Sequence, residues 1–341
     1  MIMGNKKSMF GVGIIGTGLQ FERRVSALRS TGIGVLMSVA SGSPERASYI
    51  ASQHGCVAAS VDEMIADPAI EIIIICTTPE THARYGVAAM EAGKHVLIEK
   101  PLGVSQDESD RLVKASSHSP GVAACGFNHR FHPGLEKMRS IVSSGGIGEP
   151  LLGRSFYGIC GRDNYSAEWR SHPSRAAGGL LMELGIHVID LYRWILGDFE
   201  AVVCERNQAV FGAPGLEDQA SVILKNKSGR HFTLTTSLAE WKNRFSIQIN
   251  GTDGLVRVDG LGGGYGVEQV SYVSRDPAGP FRTETTEFRG RDVSWDNEWR
   301  AFIQKIEAGD SSIGTIQDGA VSQHIVRCAY RSSETQATVA L

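Results

Sequence analysis

The stretch GGLLMELGIHVID, residues 178–190, is almost wholly apolar or small, yet it carries Glu183, His187 and Asp190. Residues three and four apart share one face of an α-helix, so this spacing sets an imidazole between two carboxylates. An imidazole titrates near working pH and can pass a proton to or from an oxygen. Glu183, one turn earlier, can orient the ring or share the proton. Asp190 reads as mostly structural. Such a group serves acid–base chemistry; a redox reaction needs a partner elsewhere in the chain.

That partner begins with Gly16-Thr17-Gly18-Leu19, which follows the apolar run FGVGII and precedes LQFERRVSALRS, an amphipathic helix by its spacing. At such a strand-to-helix turn a dinucleotide pyrophosphate meets backbone N–H groups and the helix dipole, and glycines let the backbone come close. Phe21 stands where a third glycine of the fingerprint is expected. The second strand, VLMSVAS, ends at Ser41 where an Asp or Glu would select against a 2′-phosphate. Ser43 and Arg46 follow, and hydroxyls with a guanidinium suit a phosphate dianion, which favours NADP, with NAD as the alternative. The order continues through the helix ERASYIASQHG, capped by Gly55, a third strand EIIIICTT, a third helix THARYGVAAMEAG and a further strand HVLIEKP. Continuous apolar strands alternating with helices predict a Rossmann-type, doubly wound parallel sheet.

VGIIGTG, TTPETHARYGVAAMEAGKHVLIEKPLGVS and GGLLMELGIHVIDLYRWILG together resemble the Gfo/Idh/MocA oxidoreductases, over most of the chain from Phe10 onward. The resemblance implies an N-terminal Rossmann domain and a C-terminal α+β domain whose open, mostly antiparallel sheet carries substrate and supports dimer or tetramer contacts. It also implies oxidation or reduction of sugars, polyols or sugar derivatives with NAD(P). By that resemblance Lys100 matches the catalytic lysine, and Glu99 the residue near the nicotinamide ribose. Thr78, Pro79 and His82 lie in the stretch that lines the nicotinamide pocket, and His187 matches the acid/base. Glu183 stands where the family has Asp, and Ala177 where a triple glycine normally begins. Lys100 follows a buried strand at its C-terminal end, the ligand crevice of open α/β sheets, and there it can stabilise charge growing on a substrate oxygen. The expectation is that Lys100 and His187, from different domains, meet over the nicotinamide around one oxygen.

The expected boundaries are residues 1–127 for the dinucleotide domain and 128–314 for the substrate domain. A helix at about 315–335 is expected to pack back near the first domain. Asn128, His129 and Arg130 cluster at the junction, where Arg130 either touches cofactor or substrate or ties the domains together. LEKMRSIVSSGGIG reads as a helix and LLGRSFYGICGRD as a strand. The loop with Tyr165, Trp169, Arg170 and His172 has the polar and aromatic character of a sugar contact, although Trp169 could equally plug a core. Asn128 and Arg130 join Tyr165, Trp169 and Arg170 as candidate substrate residues. Further on, AVVCERNQAVF, QASVILKNKSGRHFTLTTSLAE and FSIQINGTDGLVRVDG alternate with a period near two and carry NKSG and NGTDG turns, the pattern of antiparallel hairpins. GLGGGYG reads as a flexible loop with no phosphate-loop lysine. WDNEWRAFIQKIEAG and QDGAVSQHIVRCAYRSSE read as closing helices.

At 341 residues two domains are the natural expectation. With 42% hydrophobic and 21% charged residues and a formal net charge of -3, nothing draws the chain to nucleic acid or an anionic membrane. The short N-terminal apolar run makes neither a signal peptide nor a membrane span. The six cysteines show no C-x-x-C pair, so neither a zinc site nor a disulfide framework is indicated, and reduced thiols fit a cytoplasmic protein. Two rivals to a freely exchanging dehydrogenase remain open. One is a glycosidase that keeps NAD bound and oxidises its substrate transiently; the other is a non-catalytic dinucleotide-sensing regulator. A sensor has no need for Lys100 and His187.

Overall fold

A computed structural model describes residues 9–161, 165–211, 213–275 and 278–341. Residues 162–164, at the end of one strand and the start of the aromatic loop read above, lie outside the described residues. The chain divides into two compact units. One holds the residues up to Gly103, Asp107–Gly126 and Trp295–Ile316; the other holds Val104–Gln106, Phe127–Ser294 and Gln317–Leu341. Residues 295–316 cluster with the first unit, and the chain from Gln317 onward with the second.

In the first unit the elements run β1 (Gly11–Ile15), α1 (Leu19–Thr31), β2 (Val35–Ala40), α2 (Pro44–His54), β3 (Val57–Ala58), α3 (Val61–Ala66), β4 (Ile72–Ile75), α4 (His82–Glu91), β5 (His95–Glu99), α5 (Gln106–His118) and β6 (Ala123–Gly126). All strands pair in parallel, in the order β3-β2-β1-β4-β5-β6. Strand order reverses between β1 and β4, which puts the ligand crevice at their C-terminal ends. Each residue of Ile72–Ile75 is fully buried, as a strand covered by helices on both faces requires. The strand expected third in sequence is the fourth, because β3 and α3 intervene. Ser60 and Glu63 close a capping box at the start of α3.

The second unit is built on α6 (Pro133–Ser143), β7 (Pro150–Cys160), α7 (Pro173–Ala176), α8 (Ile186–Leu196), β8 (Ala201–Asn207), β9 (Gln219–Lys225), β10 (His231–Ser237), β11 (Ala239–Gly251), β12 (Gly254–Asp259), β13 (Glu268–Ser274) and β14 (Arg282–Phe288). After α9 (Ser294–Ala308) come α10 (Ile316–Thr335) and β15 (Val339–Ala340). Its nine-stranded sheet runs β14-β13-β12-β11-β7-β10-β9-β8-β15. Every neighbouring pair is antiparallel except β7 and β10. This is the open, mostly antiparallel α+β sheet expected. One face of β10 carries the buried Phe232, Leu234 and Thr236, and Phe232 meets Tyr192 of α8 at 5.8 Å between ring centroids. Among the described residues no helix is long and apolar enough to cross a membrane.

Candidate active site

In the first unit the glycine turn joins β1 to α1. Gly16 has φ 110, and a Cβ there would lie 2.7 Å from the backbone of Cys76 and Thr77 at the end of β4, so only glycine fits. Gly18 is the N-cap of α1 and makes no side-chain cap, while its own Cβ direction meets nothing within 4 Å. No side chain caps the first turn of this 13-residue helix, whose leading Gly18 and Leu19 are exposed. A pyrophosphate fits such a cradle, between Gly16, Thr17, Gly18 and the exposed Leu19. Phe21, in place of a glycine, is fully buried and meets the His54 ring of α2 edge-on at 5.1 Å.

The structure brings the residues expected at the ribose end together around the ends of β1 and β2. The Thr17 and Ser41 hydroxyls lie 3.2 Å apart, and the exposed Arg46 guanidinium reaches the Thr17 carbonyl at 3.4 Å. Ser43 caps α2 by accepting from the Arg46 amide, and its hydroxyl donates to the Glu45 carboxylate at 2.7 Å. Pro79–Thr81 form a 3-10 turn after β4, and the Thr78 hydroxyl donates to Glu80 at 2.7 Å.

Lys100 stands immediately after β5, half-buried. Its neighbours are fixed on both sides. Glu99 is 4% exposed and accepts from Arg24 of α1 through Nε at 2.9 Å and Nη2 at 2.5 Å. His82 is buried, with Nδ1 2.8 Å from the Pro101 carbonyl and Nε2 3.0 Å from that of Thr77. Burial pulls the His82 pKa below the usual imidazole value, against its two carbonyl contacts and the nearby Glu99 and Glu80. Both partners are acceptors, so a neutral ring donates its one N–H to only one of the two carbonyls.

In the second unit the segment expected as unbroken α-helix opens with a π turn over Leu181–Gly185, in which the Ile186 amide donates to the Leu181 carbonyl five residues back. A π turn changes the angle between Glu183 and His187, and such turns recur at functional sites. Glu183 accepts from Arg170 Nε at 2.5 Å, and the Arg170 guanidinium also lies 4.6 Å over the Trp169 ring. The loop and the helix are thereby tied together, with Trp169, Arg170 and Glu183 in one cluster. Tyr165 is buried, and its carbonyl accepts from the Ser171 hydroxyl.

His187 is 5% exposed and lies on His129, with ring centroids 3.8 Å apart and planes at 19°. Phe127 meets it edge-on at 6.0 Å. His129 is held by the Tyr157 hydroxyl, 3.0 Å from Nε2, and by the Asn128 side-chain oxygen Oδ1, 3.2 Å from Nδ1. Asn128 donates in turn to the Ser294 hydroxyl at 2.9 Å. Arg130 forms a fork with Asp190, Nε at 2.8 Å and Nη2 at 2.5 Å, both residues being buried. Asp190 thus anchors its helix through the Arg130 ion pair. Sequence reasoning missed Arg24, Tyr157 and the stack on His129. No local pattern marks any of them, since each acquires its partner from a distant segment.

Fold and site define a dinucleotide-binding oxidoreductase of the two-unit kind. Residues 10–127 match the oxidoreductase family with NAD-binding Rossmann fold, and residues 135–257 match the GFO/IDH/MocA C-terminal domain. The chain belongs to the Gfo/Idh/MocA family. A 1,5-anhydro-D-fructose reductase of Ensifer adhaerens is 30% identical over 250 residues, 71% of this chain and 73% of that protein. A myo-inositol 2-dehydrogenase of Thermotoga maritima is 27% identical over 340 residues, 97% of this chain and 98% of the relative. In fold, the chain is similar to a levoglucosan dehydrogenase solved with NADH and levoglucosan, at TM-score 0.89 and 23% identity, covering 98% of this chain and 99% of that one.

Proposed function

We propose that this protein is an NAD(P)-dependent dehydrogenase or reductase acting on a secondary hydroxyl or ketone of a sugar, polyol or sugar derivative. The observation that carries the reading is Lys100, fixed on both flanks at the C-terminal edge of the parallel sheet that also bears the open glycine cradle. Gly16, Thr17, Gly18 and Leu19 would hold the pyrophosphate. Thr78, Pro79, His82 and Glu99 would border the nicotinamide end, and Ser41, Ser43 and Arg46 the 2′-phosphate of NADP. Bound there, the nicotinamide supplies the hydride acceptor or donor.

The remaining chemistry belongs to the protein. Lys100 stabilises the negative charge growing on the substrate oxygen. His187 takes the hydroxyl proton during oxidation and returns it during reduction. Glu183, its charge balanced by Arg170, orients the substrate side of the helix. Trp169 and Tyr165 give the loop an apolar surface for the faces of a sugar ring. Asn128 is held by Ser294, and Arg130 ties down the helix through Asp190. The exposed Trp241 (94%) and Phe281 (72%) support assembly of the chain as a homodimer or homotetramer, and the free cysteines fit a cytoplasmic setting.

The test is NADPH or NADH absorbance across a panel of inositols, anhydro sugars and other polyols, repeated with Lys100→Met and His187→Ala. Each variant should lose about 10²-fold or more in kcat, the usual worth of a positioned acid–base or charge-stabilising group. Turnover within a few-fold of the parent defeats the assignment.

A further inference from the structure

We propose that Arg24 is a positioning residue for Lys100, acting through Glu99; the proposal rests on the role given to Lys100 above. Arg24 lies in α1, the helix whose first turn forms the glycine cradle, and it is 1% exposed. Its guanidinium gives Nε and Nη2 to Glu99 Oε1 and Nη1 to Glu298 Oε2, and lies 4.7 Å over the Trp295 ring. Glu298 is fully buried, so one guanidinium joins two carboxylates inside the first unit.

Stability alone does not explain this arrangement. An apolar side chain of similar volume commonly serves a buried position as well as a buried ion pair does. What the pair adds is direction, because a planar fork with fixed donors holds both carboxylates in one geometry that a lysine cannot reproduce. The space for it is left by Gly126, which pairs with Glu99 across β5 and β6. A Cβ at Gly126 would lie 2.8 Å from Arg24 Nη2 and 3.2 Å from Glu99 Oε2. Glu99 is thus fixed from α1 while Pro101 is fixed by His82, and the residue between them is Lys100. One element, α1, bears both the cofactor cradle and the grip on the catalytic corner.

The experiment uses the full chain with Gly126→Ala, which crowds the fork without changing charge, and Arg24→Lys, which keeps the charge and loses the fork. In cofactor-free protein, mass spectrometry follows the rate at which formaldehyde and borohydride methylate Lys100, with the exposed Lys114 as internal reference. Both variants should change the Lys100 rate several-fold and leave Lys114 as it was. In turnover with the best polyol of the panel, Gly126→Ala should cost about tenfold or more in kcat, since a misplacement near 1 Å can cost about 10²-fold. In a Lys100→Met background the same change should cost nothing further. An unchanged Lys100 rate, or an equal kcat loss in both backgrounds, overturns the proposal. If Lys100→Met itself leaves turnover intact, the functional reading fails instead, and the methylation rates still decide the positioning claim.

Discussion

Asp190 tests whether the polar face of the active-site helix is shared between chemistry and anchoring. Asp190 is fully buried and Arg130 is 4% exposed, joined by two hydrogen bonds of 2.8 and 2.5 Å. In Asp190→Ala the guanidinium stays buried with Asp318, 3.3 Å away and partly exposed, as the remaining carboxylate of the trio. Breaking a buried pair by removing one partner costs about 3–5 kcal/mol, and the surviving Asp318 contact places this case near 3. At roughly 2–4 °C per kcal/mol for a unit of this size, the second unit's transition should fall by about 6–12 °C in differential scanning calorimetry. Well below that transition, kcat should stay within a few-fold of the parent. Pairing the change with Arg130→Met should recover most of the loss, because no orphaned charge is left. A collapse of kcat at an unchanged midpoint would refute the reasoning and assign Asp190 to the chemistry.

Arg46→Ala should raise the Kd for NADP about tenfold, from a charge-assisted contact of about 1.5 kcal/mol at an exposed site, and leave NAD unaffected; titration by cofactor fluorescence decides it, and a parallel loss for NAD refutes the 2′-phosphate role. Ala177 takes φ 62, a left-handed conformation costing about 1–2 kcal/mol for a residue with a Cβ, partly offset by the unfolded-state entropy of glycine. Ala177→Gly should therefore stabilise by about 0.5–1 kcal/mol in urea titration, and a loss of stability would sink the strain argument. Glu217 is buried, accepts from the Leu181 amide and the Tyr330 hydroxyl, each at 2.9 Å, and has its carboxyl pKa raised by burial. Its folded pKa lies above its unfolded one, so the native state holds the extra proton and stability falls as pH rises from the unfolded value through the folded one. Glu217→Gln lacks this dependence, so its stability relative to the parent should climb across that window and level off above it; a flat difference between the two proteins would refute the assignment.

Much of the first unit was legible in sequence because its signals are local. Ile72–Ile75 is a continuous apolar run, Gly55 stops a helix, and Gly16 and Gly18 bracket a turn that lies between strand and helix. Several of the elements missed have slight burial, although the buried β6 was passed over as well. β3 is two exposed residues, α5 buries only Ser109 and Leu112, and β14 is an edge strand of mostly exposed polar residues. The π turn at Leu181–Gly185 was invisible for another reason: its residues favour an α-helix locally, and the contacts of Glu217 with Leu181 and of Arg170 with Glu183 come from other segments.

The types of residue available for catalysis, Lys100, Glu183 and His187, were set by sequence, as were the turn chemistry and the period of each strand. Their state was decided by tertiary structure. Arg24 reaches Glu99 across 75 residues and Glu298 across 274, and the His129 ring on His187 comes from another element entirely. Periodicity carries information over one or two turns of chain, whereas a buried charge or ring is satisfied by whichever segment the fold delivers to it.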